Sequence, residues 1–202
     1  VADSSPNITG LFLHDTAVTD RGLEELSRLP ELKTLYVNGC LATGSGLQSL
    51  ADSTTLNFLG FSKTRLDGAG LRAISSLTSL TSLDLTLCQA DEHEFFALGR
   101  LRKLRVLSLH TASVSTVAAG WITELTELRQ VDVSMTGFTK DGVRQLRKGL
   151  PNLVEVRGVS TLDDEQNADH VQRSLRLWRA TQLAPLLMGM LYLGSWLGVH
   201  LK

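Results

Sequence analysis

Apolar residues recur along this chain at a fixed interval. From Ile8 the same motif returns at Leu32, Leu56, Leu80, Leu104 and Leu128, each 24 residues on, and once more after 25 at Leu153. Three residues into each row stand Leu11, Leu35, Leu59, Leu83, Leu107, Val131 and Val156. Two further on stand Leu13, Val37, Phe61, Leu85, Leu109 and Val133. That last spacing of two puts both side chains on one side of a short strand. In the second half of the rows the interval becomes three, as in Leu23, Leu26 and Leu29, or Phe95, Leu98 and Leu101, which predicts one or two helical turns. Each row therefore reads as strand, turn and short helix. No row can bury its own leucines, whereas stacked rows share one core.

The turns repeat in columns too. The position eight residues into each row holds Thr16, Cys40, Thr64, Cys88, Ala112 and Thr136, small side chains expected to turn inward and bond backbone carbonyls left unpaired by the bend. Thr19-Asp20 and Thr139-Lys140-Asp141 precede helical halves and are placed to cap exposed amides. Gly22, Gly46, Gly70 and Gly142 share one column, where a tight helix start leaves little room for a side chain.

The pattern LxxLxLxxTxhTDxGLxxLxxL (h apolar), as in the first row to Leu29, resembles the leucine-rich repeat family over residues 8 to about 158. Its T-D-x-G-L segment is similar to the cysteine-containing branch known from F-box partners. The same style of repeat occurs in small mitochondrial assembly factors of complex I and ATP synthase. The resemblance implies an α/β leucine-rich-repeat solenoid, with short parallel strands on a concave side and short helices on a convex side. It implies a protein-contact role without catalysis. The row from Leu104 departs most, with Ala118-Ala119-Gly120-Trp121 in place of the Gly-Leu step, and no F-box segment carries over a ubiquitin-ligase role.

Composition sharpens this picture. Leucine supplies 39 of the 202 residues, as a repeated packing unit requires. Lysine plus arginine is 20 and aspartate plus glutamate is 21, a net charge of -1 that offers no whole-chain field for nucleic acid. Beyond Gly158 the repeat stops. Residues 1–158 form the expected repeat domain, 159–179 a polar linker or helix, and 180–202 a hydrophobic C-terminal helix. No formal charge occurs from Ala180 to Leu201, and Leu183 to Leu201 as a helix would measure about 28 Å, close to the thickness of a bilayer core. Gly189, Gly194 and Gly198 offer small positions for close helix contact in a membrane. Arg173, Arg176 and Arg179 flank the run on its N-terminal side, which places the repeats in the cytosol or the mitochondrial matrix. The other reading of the run is a helix that closes the open end of the solenoid. A chain opening on Val1 is expected to be a processed product or a trimmed piece of a longer one.

Candidate chemistry is confined to the strands. Outward positions carry Phe12, Tyr36, Gly60, Asp84, Ser108 and Asp132, flanked by His14, Asn38, Phe58, His110 and Gln130. These, Gly60 apart, are the expected partner-binding residues. Asp84 and Asp132 should lie about 10 Å apart, near the spacing of carboxylates that activate water, with Ser108 and His110 nearby. An open face of short strands cannot exclude water or tune an acid, so no catalytic residue is expected. Gly68-Ala69-Gly70-Leu71-Arg72-Ala73 matches a short dinucleotide fingerprint but sits at a helix start with no βαβ unit around it, so no cofactor is expected. Cys40 and Cys88, two rows apart, are too distant for a disulfide and too few for a zinc site, and the histidines show no ligand spacing. Arg100, Arg102, Lys103 and Arg105 make the densest basic run, suited to a local acidic partner rather than to nucleic acid. The sequence thus predicts a non-catalytic scaffold, accessory subunit or assembly factor of a membrane protein complex, with the mitochondrial inner membrane as the first expectation. A soluble recognition adaptor is the alternative. Neither reading includes a small-molecule substrate.

Overall fold

The computed structural model describes residues 7–159. The hydrophobic run 180–202, with Gly189, Gly194 and Gly198, and the linker beyond Val159 lie outside the described residues. Among those described, no helix is long and apolar enough to cross a membrane.

Seven three-residue strands, β1 (Gly10–Phe12), β2 (Thr34–Tyr36), β3 (Phe58–Gly60), β4 (Ser82–Asp84), β5 (Val106–Ser108), β6 (Gln130–Asp132) and β7 (Glu155–Arg157), form one parallel sheet in chain order. Each strand pairs with the next at an offset of 24, as Leu35 with Leu59 and Leu83 with Leu107, and the last step is 25, Val131 with Val156. The sequence period is therefore the sheet register. Each row opens with one carbonyl accepting two amides from the next row: Thr9 O from Lys33 and Thr34, Lys33 O from Asn57 and Phe58. The row leucines are sealed in one core, with Leu35, Leu59, Leu71, Leu80 and Leu98 fully buried.

The helical halves differ from simple α-turns. Four are α-helical: α1 (Asp20–Glu24), α2 (Gly68–Ser76), α3 (Ala119–Ile122) and α4 (Lys140–Gly149). Ser45–Leu50 and Glu92–Arg100 are wound entirely as 3-10 helix, and Glu25–Arg28 and Thr116–Ala118 are shorter pieces of it. A spacing of three is compatible with either winding, since Leu71 and Ile74 are buried from the α-helical row. A 3-10 helix has three residues per turn, so Phe95 and Leu98 stack on one line and both reach the core, fully buried. The divergent fifth row stays in register because small Ala118 and Ala119 pack where other rows use glycine, while Trp121 and Ile122 fill the core.

One column went unread in the sequence. Seven residues into each row the backbone turns left-handed, at Asp15, Lys63, Leu87, Thr111 and Met135 with φ between 49° and 59°, and at Gly39 with φ 67°. The turned amide reaches the next row: Asp15 N donates to Asn38 O, Lys63 N to Thr86 O, Thr111 N to Ser134 O, all at 2.8–2.9 Å. Four of the five non-glycine residues, Asp15, Lys63, Leu87 and Thr111, hold this conformation against its steric cost because a bond between rows rewards it. Thr111 is β-branched and exposed, so its strain is offset by no packing. Thr111→Gly should stabilise the domain by about 0.5–1 kcal/mol, the relieved strain exceeding the added freedom of the unfolded chain. The check is a raised urea midpoint at constant slope; a lowered midpoint would show that the turn is unstrained.

Candidate functional site

Because Leu11, Leu35, Leu59 and Leu83 point inward, their strand neighbours point out, and the outward columns become one continuous strand face. At its start Phe12, Tyr36 and Phe58 meet. The Phe12 and Tyr36 rings stack with centroids 5.1 Å apart, and Phe58 tilts against Tyr36 at 4.6 Å. His14 joins them, 5.5 Å from Tyr36 and 6.1 Å from Phe12. Phe12 remains 49% exposed, so the described residues do not close off the cluster. Gly60 makes it feasible: a Cβ there would stand 2.7 Å from Tyr36 Cδ1 and 3.3 Å from Phe58 Cε1.

Beyond the rings the face turns polar. Asp84 Oδ1 accepts from the Thr86 amide and hydroxyl at 2.9 and 2.6 Å, and that hydroxyl contacts Ser108 Oγ at 2.9 Å. Asp132 Oδ1 accepts from the Ser134 amide at 2.9 Å in the same manner. Each carboxylate thus closes the turn after its own strand, which is a structural task for both acids. Asn38 Oδ1 accepts from Ser62 N, and Gln130 donates to Glu155, whose carboxylate also takes Arg157 Nε at 2.6 Å. His110 contributes its carbonyl to the amide of Leu87. Seven of the ten expected residues therefore fall into an aromatic group of Phe12, His14, Tyr36 and Phe58, an acid-hydroxyl group of Asp84 and Ser108, and a C-terminal group around Gln130, while Asn38, His110 and Asp132 are bonded outside them. Thr86, Glu155 and Arg157 belong to these groups and were not anticipated. Extending the outward columns into the partial last row from Leu153 would have found the last two.

The inward column behaves as its residue types suggest. Cys40 donates to Leu13 O and contacts Thr16 Oγ1, while Cys88 and Thr64 both donate to Phe61 O. Both thiols are free and buried. Burial pushes the Cys88 thiol up to about 11, with the charge of Asp84 adding to it and bonds from Thr64 opposing it, so the reactive thiolate is scarce at neutral pH.

The capping expectation needs correction at Thr19-Asp20. Thr139 accepts from Gly142 N and caps α4 as expected, and Asp67 does the same for α2 through Gly70 N. Thr19 makes no such bond. Asp20 instead reaches the next row, where its carboxylate accepts the amides of Thr43, Gly44 and Gly46 and the Thr43 hydroxyl, at 2.9–3.1 Å. Glu92 does likewise for the amide and hydroxyl of Ser115. Burial opposes the charge on Asp20, but the donors from Thr43, Gly46 and Gly44 outweigh it and hold its carboxyl below the ordinary 3.8. With the folded value below the unfolded one, this stabilisation is complete above about pH 4 and fades as pH falls through the folded value. Asp20→Asn should cost about 1–2 kcal/mol at pH 7. Melting curves should show the gap between the two proteins closing in acid, and a constant gap would assign the loss to packing.

The remaining motifs resolve into structure. In the GxGxxA stretch, Gly70 N is bonded to Asp67 and its Cα abuts Thr43 O, so the amide a phosphate would need is already taken. His93 stacks on Phe96. Within the basic run, Arg102 pairs with Glu124 at 2.8 Å and Arg105 with Glu127 at 3.1 Å, so the local acidic partner is the next row of the same chain.

No protein-family model and no curated protein matches the chain. Among solved structures it is similar to internalin C2 from Listeria monocytogenes strain 4b F2365, a leucine-rich-repeat protein. The two share 23% sequence identity and a TM-score of 0.54 over 77% of this chain and 75% of that one. At that identity the likeness establishes the leucine-rich-repeat fold.

Proposed function

We propose that the protein is a non-catalytic leucine-rich-repeat scaffold, an accessory subunit or assembly factor, whose concave strand face docks a protein subunit of a membrane complex. One observation carries the reading. The outward columns gather a contiguous aromatic group, with Phe12 half exposed, where the fold itself asks for no apolar side chain. Rigid rings on an open sheet supply contact area at low entropic cost, which is what protein interfaces select. The residues assigned to the contact are Phe12, His14, Tyr36, Asn38, Phe58, Asp84, Ser108, His110, Gln130 and Asp132. A hydrolase built on Asp84, His110 and Asp132 is disfavoured because both carboxylates already hold their own turns.

Attachment to the membrane is assigned to the charge-free stretch from Ala180 to Leu201 behind its arginine flank, with Gly189, Gly194 and Gly198 as helix-contact positions. The mitochondrial inner membrane, repeats on the matrix side, is the favoured location on the resemblance to assembly-factor repeats.

The test is a pull-down from detergent-solubilised membranes. Tyr36→Ala should lower recovery of the co-purifying subunit by about tenfold or more with an unchanged melting temperature. Normal recovery would move the contact elsewhere. Carbonate extraction tests the anchor: the chain should stay in the pellet, and full release would make it a soluble recognition adaptor.

A further inference from the structure

In the three outward columns of the first six rows, the only formal charges are Asp84 and Asp132. The seventh row adds Glu155 and Arg157, which pair with each other. The strand face thus runs from an aromatic end to an acidic end, where the hydroxyls of Thr86 and Ser108 lie between Asp84 and Asp132.

Tyr36, Gly60 and Asp84 stand on one register line across β2, β3 and β4. The Tyr36 ring lies over the bare Gly60 backbone, toward Asp84. Burial, and after it the charge of Asp84, push the Tyr36 phenol up. Asp84 spends Oδ1 on Thr86, and among the described residues nothing bonds its Oδ2. Asp132 likewise spends Oδ1 on Ser134.

The spacing selects a conformation for the occupant. Tyr36 to Asp84 and Asp84 to Asp132 are each two strands, so about 10 Å per step. A polyproline II segment advances about 9.3 Å per turn of three residues and returns every third side chain to one side. A β-strand ligand would send residues three apart to opposite sides. A helix would rise only about 5 Å per turn.

We propose that the strand face binds an extended segment of a partner protein in polyproline II conformation. Its apolar residue rests on the Phe12, Tyr36 and Phe58 rings. A lysine or arginine three residues on meets Asp84, and a second, three further, meets Asp132. This rests on the reading of the strand face as the docking surface, and adds the partner's sequence pattern and charge. Asp84 has no cation in the outward columns beside it, and at the far end Asp132 and Glu155 together outnumber the one Arg157 in register with Asp132, so the face favours a basic segment and repels an acidic one.

The probe is a fluorescent peptide, acetyl-Leu-Pro-Pro-Arg-Pro-Pro-Arg-amide, titrated by anisotropy against the full chain in a neutral detergent. Replacing both arginines by glutamine should weaken binding about tenfold, and moving one arginine by a single position should weaken it severalfold. Asp84→Asn retains the acceptor that Thr86 needs and removes the charge. It should abolish most of the preference for arginine over glutamine while leaving the glutamine peptide unaffected. Tyr36→Leu should weaken every peptide alike. Equal binding of the arginine and glutamine peptides, an intact preference in Asp84→Asn, or no binding at millimolar peptide would each overturn the proposal. If those outcomes came with partner capture still dependent on Tyr36, the docking face would stand and only the basic segment would fall. Capture indifferent to Tyr36→Ala would remove the docking face itself.

Discussion

Leu83→Asp should abolish cooperative unfolding at physiological temperature, with a loss of about 4 kcal/mol or more. Leu83 is 1% exposed, in the middle of β4, and registers with Leu59 and Leu107, both equally sealed. Truncating such a leucine already costs about 2–5 kcal/mol through lost burial and the cavity left behind. A carboxylate adds the penalty of a buried charge, since its neighbours here offer no donors. Position aggravates it, because a repeat array is held by interfaces between neighbouring rows and β4 is the central row. Leu83→Met keeps the volume and should cost less than about 1.5 kcal/mol. Thermal melts by circular dichroism check both. An unchanged melting temperature for Leu83→Asp would mean that the column points outward and the register is wrong.

Gly46→Ala is the second large effect, a loss of about 3 kcal/mol from a single methyl group. A Cβ at Gly46 would lie 2.1 Å from Asp20 O and 2.8 Å from Asp20 C, both backbone atoms of the preceding row. Relief would need the two rows to move apart. That would also pull the Gly46 amide off the Asp20 carboxylate, where it donates at 3.1 Å. Gly120→Ala is the matched control. It lies in α3 with nothing among the described residues within 4 Å of its added Cβ, so it should be neutral or slightly stabilising through helix propensity. Urea midpoints compare the two. Equal effects would show that the glycine column reflects local chain freedom and not the approach of neighbouring rows.

The glycine column also shows how far the sequence could be read. Gly22, Gly46, Gly70 and Gly142 share it, and a tight approach there was legible. Glu94 holds the same column in the fourth row, an apparent conflict that only the structure removes. Its Oε1 lies where a Cβ of Gly68 would be, so a glycine in the preceding row makes the space. That pairing joins positions 26 apart and belongs to no row taken singly. The capping carboxylate of Asp20 escaped for the same reason, since its three amides lie 23–26 residues ahead. The aromatic group was legible as residues on a common face. Its tight stacking over Gly60 was not, because ring contact depends on how closely successive strands lie.

What the sequence determined by itself is the row. A period of 24 sets strand register, and alternation within LxxLxL sets which side chains are buried and which are offered to a partner, because both follow from repeat distances along the backbone. What the tertiary structure decided lies between rows: the left-handed turns at Lys63, Leu87 and Thr111, the carboxylates that cap their neighbours, and the union of Phe12, Tyr36 and Phe58 into one surface. These depend on the rise from one coil to the next, a distance of only a few ångströms that joins residues some two dozen positions apart. Local propensity does not carry it, and stacking alone sets it.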